Sequence, residues 1–105
     1  MYVILTSKPG QFRTEAGDGL APVERWDYVF YGRVRARFVI ARVERDVRVR
    51  VVDESGPEIV NLVPSKLLER HESVDRARAA LRSLTRFGDL EAGLVRVDET
   101  AGAAA

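Results

Sequence analysis

Residues 25–43, RWDYVFYGRVRARFVIARV, contain a sustained alternation between two kinds of side chain. The even-numbered positions carry a mostly apolar set: Trp26, Tyr28, Phe30, Gly32, Val34, Ala36, Phe38 and Ile40. The odd-numbered positions include Asp27, Tyr31, Arg33, Arg35 and Arg37. Because successive side chains of a β-strand point to opposite faces of the sheet, this pattern predicts β-structure with its even face toward the core.

One straight strand over this stretch would be longer than the molecule. Nineteen residues at ~3.3 Å each would extend about 60 Å, whereas a compact chain of 105 residues has a diameter of about 30–35 Å. The chain must therefore bend or reverse, and Gly32 is the residue that permits this at the lowest steric cost. A strand bend and a tight hairpin at Tyr31–Gly32 both satisfy the pattern.

Short apolar and β-branched segments between turn-forming residues predict further strands on both sides of this stretch. Their ranges are 2–6, 11–14, 46–53, 58–63 and 90–97. The polar connection 43–46 has the length of a hairpin loop, so strand 46–53 is predicted to pair antiparallel with 33–43.

A helix is predicted from Ser73 to Gly88. Ser73 is a favourable N-cap, Asp75 lies in the first turn, and Gly88 stands where a helix C-terminus favours glycine. Apolar residues recur at helical spacing between these ends. Pro64 also predicts one or two helical turns, with Leu67 and Leu68 facing inward.

The fold class expected from these elements is α+β: a strongly bent antiparallel sheet or small half-open β-barrel, with one main C-terminal amphipathic helix packed on it. A chain of 105 residues favours one domain with one core. We expect that domain to span residues 1–98, followed by a disordered tail at 99–105.

Composition excludes several classes of site. The chain has no cysteine and one histidine, His71, which excludes disulfides, thiolate metal sites, cysteine nucleophiles and any single-chain site with two imidazoles. His71 lacks a recognisable catalytic partner and is interpreted as a surface or capping residue, so no cofactor or metal is expected. No secretory signal or membrane-spanning run is visible, and a cytoplasmic location without membrane binding is expected.

The net charge of +1 hides an uneven distribution. Residues 1–50 carry ten basic and six acidic side chains, net +4, and residues 51–105 carry seven and ten, net −3. The predicted strands place five arginines on outward faces, with Tyr31 on the same side: Arg33, Arg35, Arg37, Arg48 and Arg50. This set is the candidate binding surface. The alternative is a solvated face neutralised by nearby carboxylates, namely Glu24, Asp27, Glu44 and Asp46.

Three functional hypotheses follow. The first is a small non-catalytic interaction module or accessory subunit that docks on an acidic protein through the arginine face. The alternative is binding to an RNA or DNA backbone through the same arginines, although the aromatic residues mostly have the opposite parity and so are not placed for base stacking. The third and least supported is an enzyme using Asp27 with Tyr28 or Tyr31.

Two further surfaces are expected to be less informative. Arg78, Arg82 and Arg86 form a stripe on the predicted long helix, which is interpreted as a solvated face. Exposed strand edges in a domain this small could pair with a second copy, so a homodimer is a candidate assembly.

Overall fold

The computed structural model describes residues 1–85 and 92–97. In this part of the chain there are seven β-strands, a short 3₁₀ turn and one α-helix. The strands are β1 (Tyr2–Ser7), β2 (Phe12–Glu15), β3 (Leu20–Phe30), β4 (Arg33–Val43), β5 (Arg48–Asp53), β6 (Val60–Pro64) and β7 (Ala92–Val97). The 3₁₀ turn spans Ser65–Leu67, and helix α1 spans Val74–Leu84.

The strands form two antiparallel sheets. The four-stranded sheet has the order β1-β4-β3-β7, and the three-stranded sheet has the order β2-β5-β6. With α1 these sheets confirm a small α+β fold, while the half-open barrel remains a prediction. The predicted tail at 99–105 lies outside the described residues.

The predicted pairing of the 46–53 strand with 33–43 is wrong. β5 pairs with β2 and β6, whereas β4 pairs with β1 and β3. The connection after β4 is tied elsewhere: the Glu44 amide donates to the Gly19 carbonyl (2.8 Å), and the Val47 amide donates to Ser65 Oγ (2.9 Å). These bonds lead the chain into the other sheet instead of back along β4.

The reversal at Gly32 is a two-residue hairpin between β3 and β4. Phe30 and Arg33 are the last paired residues, and both loop residues have positive φ, +48° for Tyr31 and +73° for Gly32. A type I′ turn requires this sign at both positions, and its twist matches that of the paired strands. Of the two alternatives left open by the sequence, the hairpin is therefore confirmed and the bend within one strand is wrong.

Two hydrophobic clusters occupy opposite faces of the four-stranded sheet, where a single core was expected. Against α1, Leu81 packs with Tyr28, Ala36 and Phe38. The other cluster lies against the three-stranded sheet and is built from Val3, Leu5, Leu20, Ala41 and Val49. Even-numbered residues from Trp26 to Phe30 and from Ala36 to Ile40 thus share one largely apolar face as predicted, and part of the opposite face is buried too.

Helix α1 begins where the sequence predicts. Ser73 Oγ accepts a hydrogen bond from the Arg76 amide (3.1 Å), and Ala77 and Leu81 are buried. Thr85 caps the C-terminus, and the predicted end at Gly88 lies outside the described residues. The inward placement of Leu67 is wrong, since this side chain is 75% exposed.

Candidate interaction surface

The five predicted arginines do not form one ladder. Arg33, Arg35 and Arg37 lie on β4 in the four-stranded sheet, whereas Arg48 and Arg50 lie on β5 in the three-stranded sheet. All five side chains are exposed. The expectation of a single surface fails because it depended on pairing between β4 and β5.

A β-bulge also separates the arginines of β4 from one another. Tyr28 pairs with Ala36 and Val29 with Val34, which leaves Arg35 as the extra residue. Residues opposed across an antiparallel pair share a face. Arg33 opposes Phe30, on the side packed by α1, whereas Arg37 opposes Asp27, on the other side. The predicted common face of these arginines is therefore interrupted at the bulge.

The surface beyond the bulge is the outward side of the β3–β4 hairpin together with β7, which we call the hairpin face. It consists of Arg25, Asp27, Arg37, Val95 and Val97. A cleft of about 230 Å³ is lined by Arg25, Asp27, Arg37, Phe38, Val39 and Val97. Basic groups and one carboxylate thus surround an opening with apolar walls.

The charges on the hairpin face are positioned by strand register. Arg37 and Asp27 are cross-strand partners, and Arg37 Nε lies 3.8 Å from Asp27 Oδ1. Val95 of β7 pairs with Asp27 and is 53% exposed, and Val97 pairs with Arg25. The alternation in residues 25–37 could have identified Arg25 by its odd parity. The valines come from a strand distant in sequence, which no local pattern identifies.

Tyr31 lies at the tip of the hairpin and is 64% exposed. Its ring meets that of Phe30 edge to face, with centroids 4.5 Å apart. The predicted residue is therefore accessible at the hairpin tip, two positions before Arg33.

The arginines of β5 have acidic and apolar neighbours. Arg50 Nε lies 3.1 Å from Glu15 Oε1, and Arg50 opposes Leu62 across the β5–β6 pair. Arg48 opposes Pro64. Arg50 thus fits the alternative of a solvated arginine face whose charge is neutralised by a carboxylate. The carboxylate is Glu15, which was not among the four predicted.

Glu24 does not neutralise the arginine face, contrary to expectation. A bulge at Val23 precedes it, and its side chain points inward and is 2% exposed. Arg78 Nε donates to both carboxylate oxygens (2.8 and 3.1 Å), Arg78 Nη2 also donates to Oε2, and Trp26 Nε1 donates to Oε1 (2.7 Å). The bonds from Arg78 hold the pKa of Glu24 below its ordinary value. Sequence analysis missed this pair and treated Arg78 as part of a solvated stripe.

The residues of the enzyme hypothesis are not brought together. Tyr28 is buried in the cluster beneath α1, on the face opposite to Asp27, and Tyr31 lies at the hairpin tip. A separate cleft of about 350 Å³ contains His71, and its lining is Ile4, Thr6, Glu69, His71, Ala80, Ser83 and Leu84. The main chain of His71 is tied to β1 by two bonds with Tyr2, each 2.8 Å.

Three comparisons, with protein-family models, with curated proteins and with solved structures, found no match to this chain. Within residues 1–85 and 92–97, no helix has the length and apolar character needed to cross a bilayer. The function must therefore be inferred from the side chains that the fold displays.

Proposed function

We propose that this chain is a non-catalytic interaction module or accessory subunit that docks on an acidic protein surface through the hairpin face. The supporting observation is the cleft in which the basic side chains of Arg25 and Arg37 border apolar residues on an open sheet face. Arginine beside apolar surface is typical of protein–protein interfaces.

The net charge of the hairpin face favours an acidic partner. Arg25 and Arg37 against Asp27 leave the hairpin face with a net charge of one positive unit. Complementary charge accelerates encounter with an acidic partner and disfavours basic ones. The apolar walls of the cleft would then supply the buried contact area.

Binding to a nucleic-acid backbone is the second candidate, supported by the exposed Tyr31 and by the exposed Arg33 two positions after it. It is weaker for two reasons. The buried rings of Tyr28 and Phe38 face α1 and are not available for stacking on bases. The five predicted arginines are also divided between two sheets, which reduces the length of backbone that one basic surface can follow.

The proposal includes a cytoplasmic location and a curled, half-open barrel. Support for the barrel comes from Thr14 of β2, whose hydroxyl donates to the Thr6 carbonyl and whose amide donates to Ser7 Oγ (2.8 Å). These bonds join one edge of each sheet.

Site-specific photo-crosslinking in cells tests the docking surface. A photoreactive residue in place of Tyr31 is expected to crosslink to a defined protein whose contact surface is acidic. Combining it with Arg25→Glu and Arg37→Glu should reduce the yield at least about tenfold, equivalent to ~1.4 kcal/mol. The matched control, Arg76→Glu with Arg82→Glu, makes the same charge change on the exposed side of α1 and should leave the yield unchanged.

Two results would contradict docking on a protein. One is an equal loss of crosslinking in both charge-reversed pairs. The other is crosslinking to nucleic acid together with filter retention of RNA or duplex DNA, with a log–log salt slope of about −2 to −3 for three neutralised phosphates. The second result would establish the alternative function.

A further inference from the structure

β6 is an edge strand with one side unpaired within the described residues. It pairs with β5 alone in the three-stranded sheet. An edge strand presents main-chain donors and acceptors that can pair with another strand.

The hydrogen-bond register shows which groups of β6 face outward. The Asp53 amide donates to the Ile59 carbonyl (2.9 Å), and the Ser65 amide donates to the Val47 carbonyl (2.8 Å). In an antiparallel pair, hydrogen-bonded and non-hydrogen-bonded positions alternate. The odd-numbered residues from 59 to 65 therefore bond toward β5, and the main-chain groups of Val60 and Leu62 point to the open edge.

Apolar side chains accompany these outward groups. Ile59 is 56% exposed, Val60 44% and Leu62 52%. Leu67, in the turn that follows, is 75% exposed. Ile59, Val60 and Leu62 fall within four consecutive positions at one sheet edge. Exposed apolar residues grouped in this way are typical of an interaction site.

We propose that β6 pairs antiparallel with β6 of a second copy, with the two-fold axis at Leu62. In this register the Leu62 amide donates to the Leu62 carbonyl of the partner copy, and the reverse bond is equivalent. The Val60 amide donates to the carbonyl of Pro64 in the partner copy. Pro64 has no N–H, so it leaves only the outermost donor position empty.

The charges flanking β6 fit this register. Glu58 precedes the strand and Lys66 follows it, each four residues from Leu62. Two-fold pairing at Leu62 therefore brings Glu58 of each copy to the end of the strand where Lys66 of the other copy lies. Glu58 accepts a hydrogen bond from Arg13 Nη2 (3.3 Å) but its side chain is still 65% exposed, which leaves room for a second cation. This self-complementarity favours a second copy over an unrelated strand.

Such a dimer goes beyond the proposed docking function and does not depend on it. The pairing uses the three-stranded sheet, whereas the hairpin face belongs to the four-stranded sheet. The dimer would carry two hairpin faces, so a partner with two acidic sites would be bound with increased avidity. A five-residue edge buries little area, and we expect a weak dimer.

Sedimentation equilibrium of the full chain, from low micromolar to millimolar concentration, tests the proposal. We expect a monomer–dimer equilibrium whose dissociation constant rises at least about tenfold, ~1.4 kcal/mol, in Leu62→Lys. The matched control is Leu84→Lys on α1, where leucine is 62% exposed, and it should leave the constant unchanged. Circular dichroism verifies that both variants are folded.

Charge exchange tests the register. Glu58→Lys and Lys66→Glu should each weaken the dimer, and the double variant should restore it even though the contact between Glu58 and Arg13 is lost. The pairing is refuted by a monomer at every concentration, by equal effects of the two leucine variants, or by a double variant as weak as the single ones. Arg25→Glu with Arg37→Glu should not alter the dimer, so failure of the docking proposal would be seen separately.

Discussion

The two halves of β4 have the same alternation but different surroundings. In the open half, residues 33–37, Ala36 is the one buried side chain. In the covered half, residues 38–43, Phe38, Ile40 and Ala41 are all buried. The odd positions account for the difference: Val39, Ala41 and Val43 belong to the cluster against the three-stranded sheet, whereas Arg37 faces the open cleft. An alternation with a period of two predicts the sheet face on which each side chain lies, but it does not indicate what packs against that face.

The largest expected effect comes from removing an aromatic ring in the covered half. Phe38→Ala should lower the free energy of unfolding by about 3–5 kcal/mol, because it leaves a cavity beneath α1. Arg35→Ala in the open half should change it by less than ~0.5 kcal/mol. Urea denaturation measures both variants, and a larger loss for Arg35→Ala would show that the faces are assigned the wrong way round.

Local signals explain why the sequence predicted some of these features. The alternation placed Phe38 inside and the β4 arginines outside, and Ser73 was recognised as the N-cap because its hydroxyl acts within its own first turn. At the hairpin, glycine indicated a reversal, but the alternation could not distinguish a turn from a bend. The positive φ of Tyr31 has no sequence signal, since non-glycine residues adopt it infrequently.

The missed features depend on residues far apart in the chain. The partner of β5 is decided by bonds from 44–47 to Gly19 and Ser65, which the length of the connection does not reveal. Glu24 and Arg78 are 54 positions apart, and their pairing needs α1 to cross the sheet at one place. Of the five arginines predicted to share one surface, Arg37 alone lies on the hairpin face, because neither their division between two sheets nor the bulge at Arg35 has a local sequence signal.

Two glycines at opposite ends of the β3–β4 pair provide the second test. Gly32, at the open end, has φ +73° and no neighbour within 4 Å of an added Cβ. Gly32→Ala should therefore cost only ~1–2 kcal/mol, the free energy of holding alanine in the left-handed conformation. Gly19, at the covered end, has φ +92°, and a Cβ there would overlap Val47 Cγ1. Gly19→Ala should cost about 1–3 kcal/mol more, as overpacking does.

Thermal unfolding of the two glycine variants distinguishes strain from crowding. Trimming the obstructing side chain with Val47→Ala should reduce the penalty of Gly19→Ala and leave that of Gly32→Ala unchanged. If Gly19→Ala costs as much in the Val47→Ala background as in the parent, the covered end is not closely packed around Gly19.

The third test compares two carboxylates of β3, one beside each half of β4. Glu24 pairs in register with Ile40 of the covered half, and Asp27 with Arg37 of the open half. Glu24→Gln should cost about 1–3 kcal/mol near neutral pH, because the partly buried Arg78 and Trp26 lose a charged acceptor. Asp27→Asn should cost less than ~1 kcal/mol, since its ion pair with the 62% exposed Arg37 is screened by solvent.

The pH dependence of that difference identifies its cause. The pKa of Glu24 is lowered in the folded protein, chiefly by the bonds from Arg78, so its stabilisation is fully present above the pKa of an unfolded glutamate, about 4.3. It is lost as the pH falls through the lower, folded pKa. Urea unfolding of the parent and of Glu24→Gln should therefore converge in acid, because protonated Glu24 resembles the amide. A gap that stays constant with pH would mean that Glu24 contributes through its shape and hydrogen bonds and not through its charge, and the contrast between the covered and open halves would then be one of packing alone.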